Sequence, residues 1–155
     1  MSGRNVVPVF VLSLLWLSAC GPWRSFPGPI ATPNHSWSSI KLTQTGGFAG
    51  VHLEIQVSSE GWMTAKDQRS GRAVTSPLSE GTLQELGQLV AKTRSPATEH
   101  LPSMCADCFI YELEIASTTG VIRIQIDDTN LAESGARALI QFLGEIRDQA
   151  LRSVI

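Results

Sequence analysis

Period-two alternation of apolar residues, in two separate blocks, constrains this chain's fold most. In the first block Val51, Leu53, Ile55 and Val57 share one side, with His52, Glu54 and Gln56 on the other. In the second, Phe109, Tyr111, Leu113 and Ile115 alternate with Ile110, Glu112 and Glu114. After Thr118-Thr119-Gly120, Ile122, Ile124 and Ile126 alternate with Arg123 and Gln125. Successive side chains of a strand point to opposite faces, so each block describes strands with one buried face and one wet face. An antiparallel sheet covered on a single side satisfies that pattern.

The remaining elements fit around these strands. Ile40 and Leu42 alternate with Lys41 and Thr43. Ser59-Glu60-Gly61 reads as a turn, and Trp62 to Asp67 as a returning strand. Gln68 to Ser76 is polar and contains Gly71, so it reads as a loop with at most a short strand around Ala73-Val74. Ser79 suits a helix N-cap, with Glu80 beside the positive end of the helix dipole. Leu83, Leu86, Leu89 and Val90 then form an apolar stripe, and the helix ends by Arg94 because Pro96 follows. Gly81 and Gly87 each weaken this helix by about 1 kcal/mol relative to alanine, so packing must hold it. Asn130 and Glu133 have the spacing of a capping box ahead of a last helix. Ala136, Leu139, Ile140, Leu143, Ile146, Ala150 and Leu151 give that helix one broad apolar face.

The expected domain, residues 38–155, is a two-layer α+β fold: an antiparallel sheet of about five strands with two helices packed on one face. Its expected core is Ile40, Leu42, Val51, Leu53, Ile55, Leu83, Leu86, Phe109, Tyr111, Leu113, Ile115, Ile122, Ile124, Leu139, Ile140 and Leu143.

The amino terminus follows different rules. Arg4 and the free amino group make a positive start, and Val6 to Leu17 is an apolar run too short to span a bilayer. Leu17-Ser18-Ala19-Cys20 follows at its end. This arrangement resembles the signal peptide and lipobox of bacterial lipoproteins. The resemblance implies that residues 1–19 are removed, that the Cys20 thiol carries a diacylglycerol, and that the new amino group is acylated. Several acyl chains on one residue anchor stably where a single chain does not. The expected location is therefore the bacterial cell envelope, with the domain outside the cytoplasm. Gly21 is not the aspartate that commonly retains lipoproteins in the inner membrane, so the outer membrane is the expected destination in a Gram-negative cell.

Residues 20–37 read as a lipidated cysteine and a tether. Pro22, Pro27, Pro29 and Pro33 forbid a regular element there. Trp23 and Phe26 stand close enough to the lipid to rest at headgroup level, or are plain linker residues. Cleavage before Cys20 leaves enough chain for one ordinary domain and too little for two. The net charge of −2 lacks the basic excess that nucleic-acid binding requires. No other stretch is long and apolar enough to span a bilayer.

Chemically distinctive residues are few. Cys105-Ala106-Asp107-Cys108 in an exported chain suits a structural disulfide. Two alternatives stay open. A redox pair needs a thiolate activated at a helix N-terminus, but this motif precedes a strand. A metal needs further ligands, for which His100 and Asp107 are the nearest. His35 lies in the tether, and His52 is on a polar strand face. Asp127-Asp128 suits turn chemistry better than a cation site. Lys66-Asp67-Gln68-Arg69 with Arg72 reads as a solvated charged loop. No nucleophile elbow, zinc-protease motif or phosphate loop occurs. The expectation is a non-enzymatic protein with no catalytic residue, no metal and no cofactor.

Gly46-Gly47-Phe48-Ala49-Gly50 joins two strands. It is either a wide hairpin whose Phe48 folds onto the core, or a binding loop with an apolar tip. The stretch from Ile40 to Val51, IKLTQTGGFAGV, resembles the opening of emfourin-like proteins, small bacterial inhibitors of thermolysin-like metalloproteases. Asp107 to Glu112 is similar to a later segment of that family, and the last hairpin and helix also fit, so the resemblance covers about residues 40–147. The lipid anchor, the tether and the cysteine pair depart from that family's pattern. The resemblance implies protease inhibition, with Gly46–Gly50 as the candidate binding loop. Two other functions remain open: an envelope structural or assembly role without inhibition, and thiol–disulfide chemistry at Cys105 and Cys108.

Overall fold

A computed structural model describes residues 36–93 and 105–153. Cys20, the expected signal and nearly all of the tether lie outside them, as does His100. Six strands form one antiparallel sheet: β1 (Ser39–Gly46), β2 (Val51–Ser58), β3 (Trp62–Asp67), β4 (Arg72–Pro77), β5 (Phe109–Ser117) and β6 (Gly120–Asp127). Their order across the sheet is β4-β3-β2-β1-β5-β6. Two helices complete the α+β fold, α1 (Glu80–Lys92) and α2 (Arg137–Arg152). The sixth strand is β4, where the expectation was a loop or a short strand around Ala73-Val74.

Register explains the core. Leu42 stands between Ile55 on β2 and Leu113 on β5, and Ile40 between Val57 and Ile115. Ala65 and Met63 continue the row on one side, and Ile124 on the other. These residues form one apolar band across the sheet. Leu83 and Leu86 of α1 and Leu139, Ile140, Leu143 and Leu151 of α2 close over it. Fully burying each such side chain stabilises the fold by about 1.5–3 kcal/mol. The opposite face carries polar pairs. Glu54 takes Lys41 at 3.0 Å and Lys66 at 3.4 Å, and Arg123 takes Glu114 at 3.0 Å.

The structure changes four expectations. Trp37, placed at the end of the tether, is buried in the core just before β1. Ile122 is 40% exposed: it lies in the exposed first half of the edge strand β6, whereas Ile124 and Ile126 further along the strand are buried. Val51, Leu53, Phe109 and Tyr111 are half-buried, since they lie toward the end of the sheet where the loops gather. The last helix begins later than the Asn130–Glu133 spacing suggests. Leu131–Glu133 is a single 3-10 turn, and α2 starts at Arg137 without a side-chain cap. The Asn130 side chain makes no cap bond; its amide (3.0 Å) and its side-chain nitrogen (2.9 Å) both donate to Asp127 Oδ1, closing a turn ahead of the 3-10 segment. By contrast, Ser79 caps α1 as expected, its Oγ accepting from the Thr82 amide at 3.1 Å.

Candidate functional site

One end of the sheet gathers most of the residues of interest. Gly46 pairs with Val51 across the β1–β2 hairpin and with Phe109 at the start of β5. The hairpin tip and the cysteine segment are therefore neighbours. Gly46 has φ of 98° and Gly47 a φ of 70°. A Cβ on Gly46 would come within 2.3 Å of the Cys108 carbonyl oxygen, and one on Gly47 within 2.5 Å of the Phe109 ring. Both positions require glycine for conformation and for space. The Gly47 amide donates to the Cys108 oxygen at 3.2 Å, and the Gly50 amide donates to Gly47 at 2.9 Å, closing the turn.

Phe48 sits at the tip of this turn and is 97% exposed. It does not fold onto the core. Burial would remove its ring from water, yet the glycine-framed turn directs it outward. Ala49 beside it accepts a hydrogen bond from the Arg69 guanidinium. Arg69 belongs to the β3–β4 turn, so two loops far apart in sequence are tied together.

Cys105 and Cys108 stand at disulfide distance, with sulfurs 1.95 Å apart and Cα atoms 5.5 Å apart. Cys108 is buried and Cys105 exposed. The pair leads into β5 rather than into a helix N-terminus. Asp128 sits alongside: its Oδ2 accepts from the Phe109 amide at 3.4 Å, and its amide donates to the Phe109 oxygen at 3.1 Å. Burial, and then the Asp128 charge, raise the Tyr111 pKa above its ordinary value, against an opposing effect of Arg147.

The charged loop is largely exposed, as expected, and is also organised by its own hydrogen bonds. Asp67 accepts from the Ser70 hydroxyl at 2.6 Å, the Ser70 amide at 3.2 Å, the Arg69 amide at 3.0 Å and Arg72 at 3.3 Å. The Ser70 bonds chiefly, with help from Arg72 and Arg69 and against slight burial, hold the Asp67 carboxyl at about 2. Beside this turn opens a cleft of about 400 Å³. Val51, His52 and Leu53 form one wall, with Asp67, Arg69 and Arg72 next to them. Asp148, Leu151 and Arg152 of α2 form the other.

Sequence reasoning missed this cleft and the residue behind it, Arg147. That side chain is 4% exposed and donates from Nε to Asp148 at 2.8 Å. Its Nη1 has no hydrogen-bond partner among the described residues. The spacing offered a signal, because Arg147 follows Leu143 by four residues and so falls within the apolar stripe of α2. Among the described residues no group of three or more His, Cys, Asp or Glu side chains is placed to hold a metal. Nor is any described helix long and apolar enough to cross a membrane. Comparison with protein-family models and with curated proteins finds no match to this chain.

Proposed function

We propose that this chain is a bacterial lipoprotein, anchored in the cell envelope through acylated Cys20, whose α+β domain binds a protein partner without catalysing a reaction. The partner we infer is a thermolysin-like metalloprotease, which the domain inhibits. The observation that carries the partner-binding reading is the 97% exposure of Phe48 on a turn held by backbone hydrogen bonds. Leaving a large aromatic side chain wholly in water forgoes about 1.5–3 kcal/mol of burial, which a partner's pocket recovers. The turn is fixed at its base by Cys108 and at its tip by Arg69, so little ordering remains to oppose binding. The resemblance of Ile40–Val51 to emfourin-like inhibitors supplies the protease class.

Titrating the detergent-solubilised chain into thermolysin, with cleavage of a fluorogenic peptide as readout, tests the proposal. Dose-dependent inhibition supports it. An unchanged cleavage rate at concentrations on the order of 10 μM, well above the Kd of a working inhibitor, removes the protease.

A further inference from the structure

We infer that the cleft between the β3–β4 turn and the end of α2 receives a carboxylate of the bound polypeptide, so that the partner segment presents an acidic side chain next to the one that meets Phe48. The inference extends the partner-binding reading above and rests on it only for the presence of a partner.

The argument is one of charge. The chain as a whole is weakly acidic, yet three arginines line this cleft against two aspartates. Both aspartates are already engaged. Asp67 is saturated by its own turn and by Arg72, and Asp148 is paired with buried Arg147 from behind. Among the described residues Arg69 and Arg152 then stand without a carboxylate partner. Arg69 gives one bond to Ala49 and keeps its remaining donors. Guanidinium groups present donors in a planar fork that matches a carboxylate. Leu151 and the start of β2 supply an apolar floor suited to the stem of a glutamate side chain.

Position argues for a polypeptide. Arg69 bonds the residue next to Phe48, so apolar tip and cationic cleft form a continuous surface. The site is concave and contains two aspartates, which fits a single projecting carboxylate better than a flat anionic membrane.

The test uses the full chain in mild detergent and a short fluorescein-labelled peptide of leucine and glutamate, with its leucine–glutamine counterpart as control. Fluorescence anisotropy is expected to show the glutamate peptide binding about tenfold more tightly, the usual scale of one charge-assisted bond. Arg152→Ala should lower that affinity about tenfold and leave the thermal midpoint unchanged, while Arg152→Lys should recover part of the loss. Equal binding of the two peptides, or equal binding by wild type and Arg152→Ala, would overturn the proposal. So would tighter binding to phosphatidylglycerol than to phosphatidylcholine vesicles, lost in Arg152→Ala, with no binding to the peptide, since the acyl anchor inserts into both kinds of vesicle and only the cleft would distinguish them. No protease enters this experiment, so failure of the inhibition assay above leaves its outcome independent.

Discussion

The Gly47 amide donates a hydrogen bond to the carbonyl of Cys108, joining the β1–β2 hairpin to the cysteine segment across 61 positions of sequence. The contact leaves no room for a side chain at Gly46. Gly46→Ala would place a methyl group 2.3 Å from that carbonyl, at a φ of 98°. The left-handed conformation alone costs about 1–2 kcal/mol, and the backbone clash adds to it. Urea unfolding should show a loss of more than about 2 kcal/mol. Gly50→Ala, with φ of 61° but nothing within 4 Å, should cost only about 1 kcal/mol.

The cysteine pair closes a very short loop, which limits its thermodynamic effect to about 2 kcal/mol. Intact mass after alkylation, with and without reductant, should show two alkylations only after reduction. Two alkylations without reductant would mean free thiols. Rapid exchange with a model disulfide substrate would instead support a redox role.

Acid stability should depend on Asp67 and Glu54. Asp67 falls from 3.8 to about 2 in the folded chain. Burial raises Glu54, but Lys41 and then Lys66, by hydrogen bonds and charge, lower it overall. Both groups are depressed on folding, so their stabilisation is present above the unfolded pKa and disappears as pH falls through the folded one. Asp67→Asn should flatten the loss of stability between pH 3.8 and about 2, measured by urea midpoints across that range. An unchanged acid limb would contradict the assignment.

Arg147 is buried, and its carboxylate partner among the described residues, Asp148, is 45% exposed. Removing the guanidinium therefore strands no buried anion. Arg147→Met should alter stability by less than about 1 kcal/mol or raise it. A loss above about 3 kcal/mol in the same unfolding assay would show that the guanidinium is needed.

What the sequence made legible follows from how local each signal is. Leu42, Ile55 and Leu113 were placed correctly because alternation is a property of a few consecutive residues. Ser79 capped α1 as expected for the same reason. Arg72–Pro77 lacked an apolar row, since an edge strand needs little burial, so β4 read as a loop or only a short strand around Ala73-Val74. Asn130 has the right spacing for a cap, but its side chain makes no cap bond and instead closes a turn onto Asp127, three residues before it. The Gly46–Gly50 turn was visible, whereas the outward direction of Phe48 depended on Cys108 and Arg69, both distant in sequence. The cleft was invisible because Asp67 and Arg152 come from opposite ends of the domain.

The most direct test of the central claim compares wild type with Phe48→Ala for inhibition of thermolysin, with the thermal midpoint of each recorded alongside. Phe48 is 97% exposed, so its removal should leave the midpoint unchanged. The account expects the inhibition constant to rise about tenfold or more, as for an aromatic anchor at the centre of an interface. Equal inhibition by the two proteins would contradict the assignment of the hairpin tip as the contact. No inhibition by either would contradict the protease reading itself.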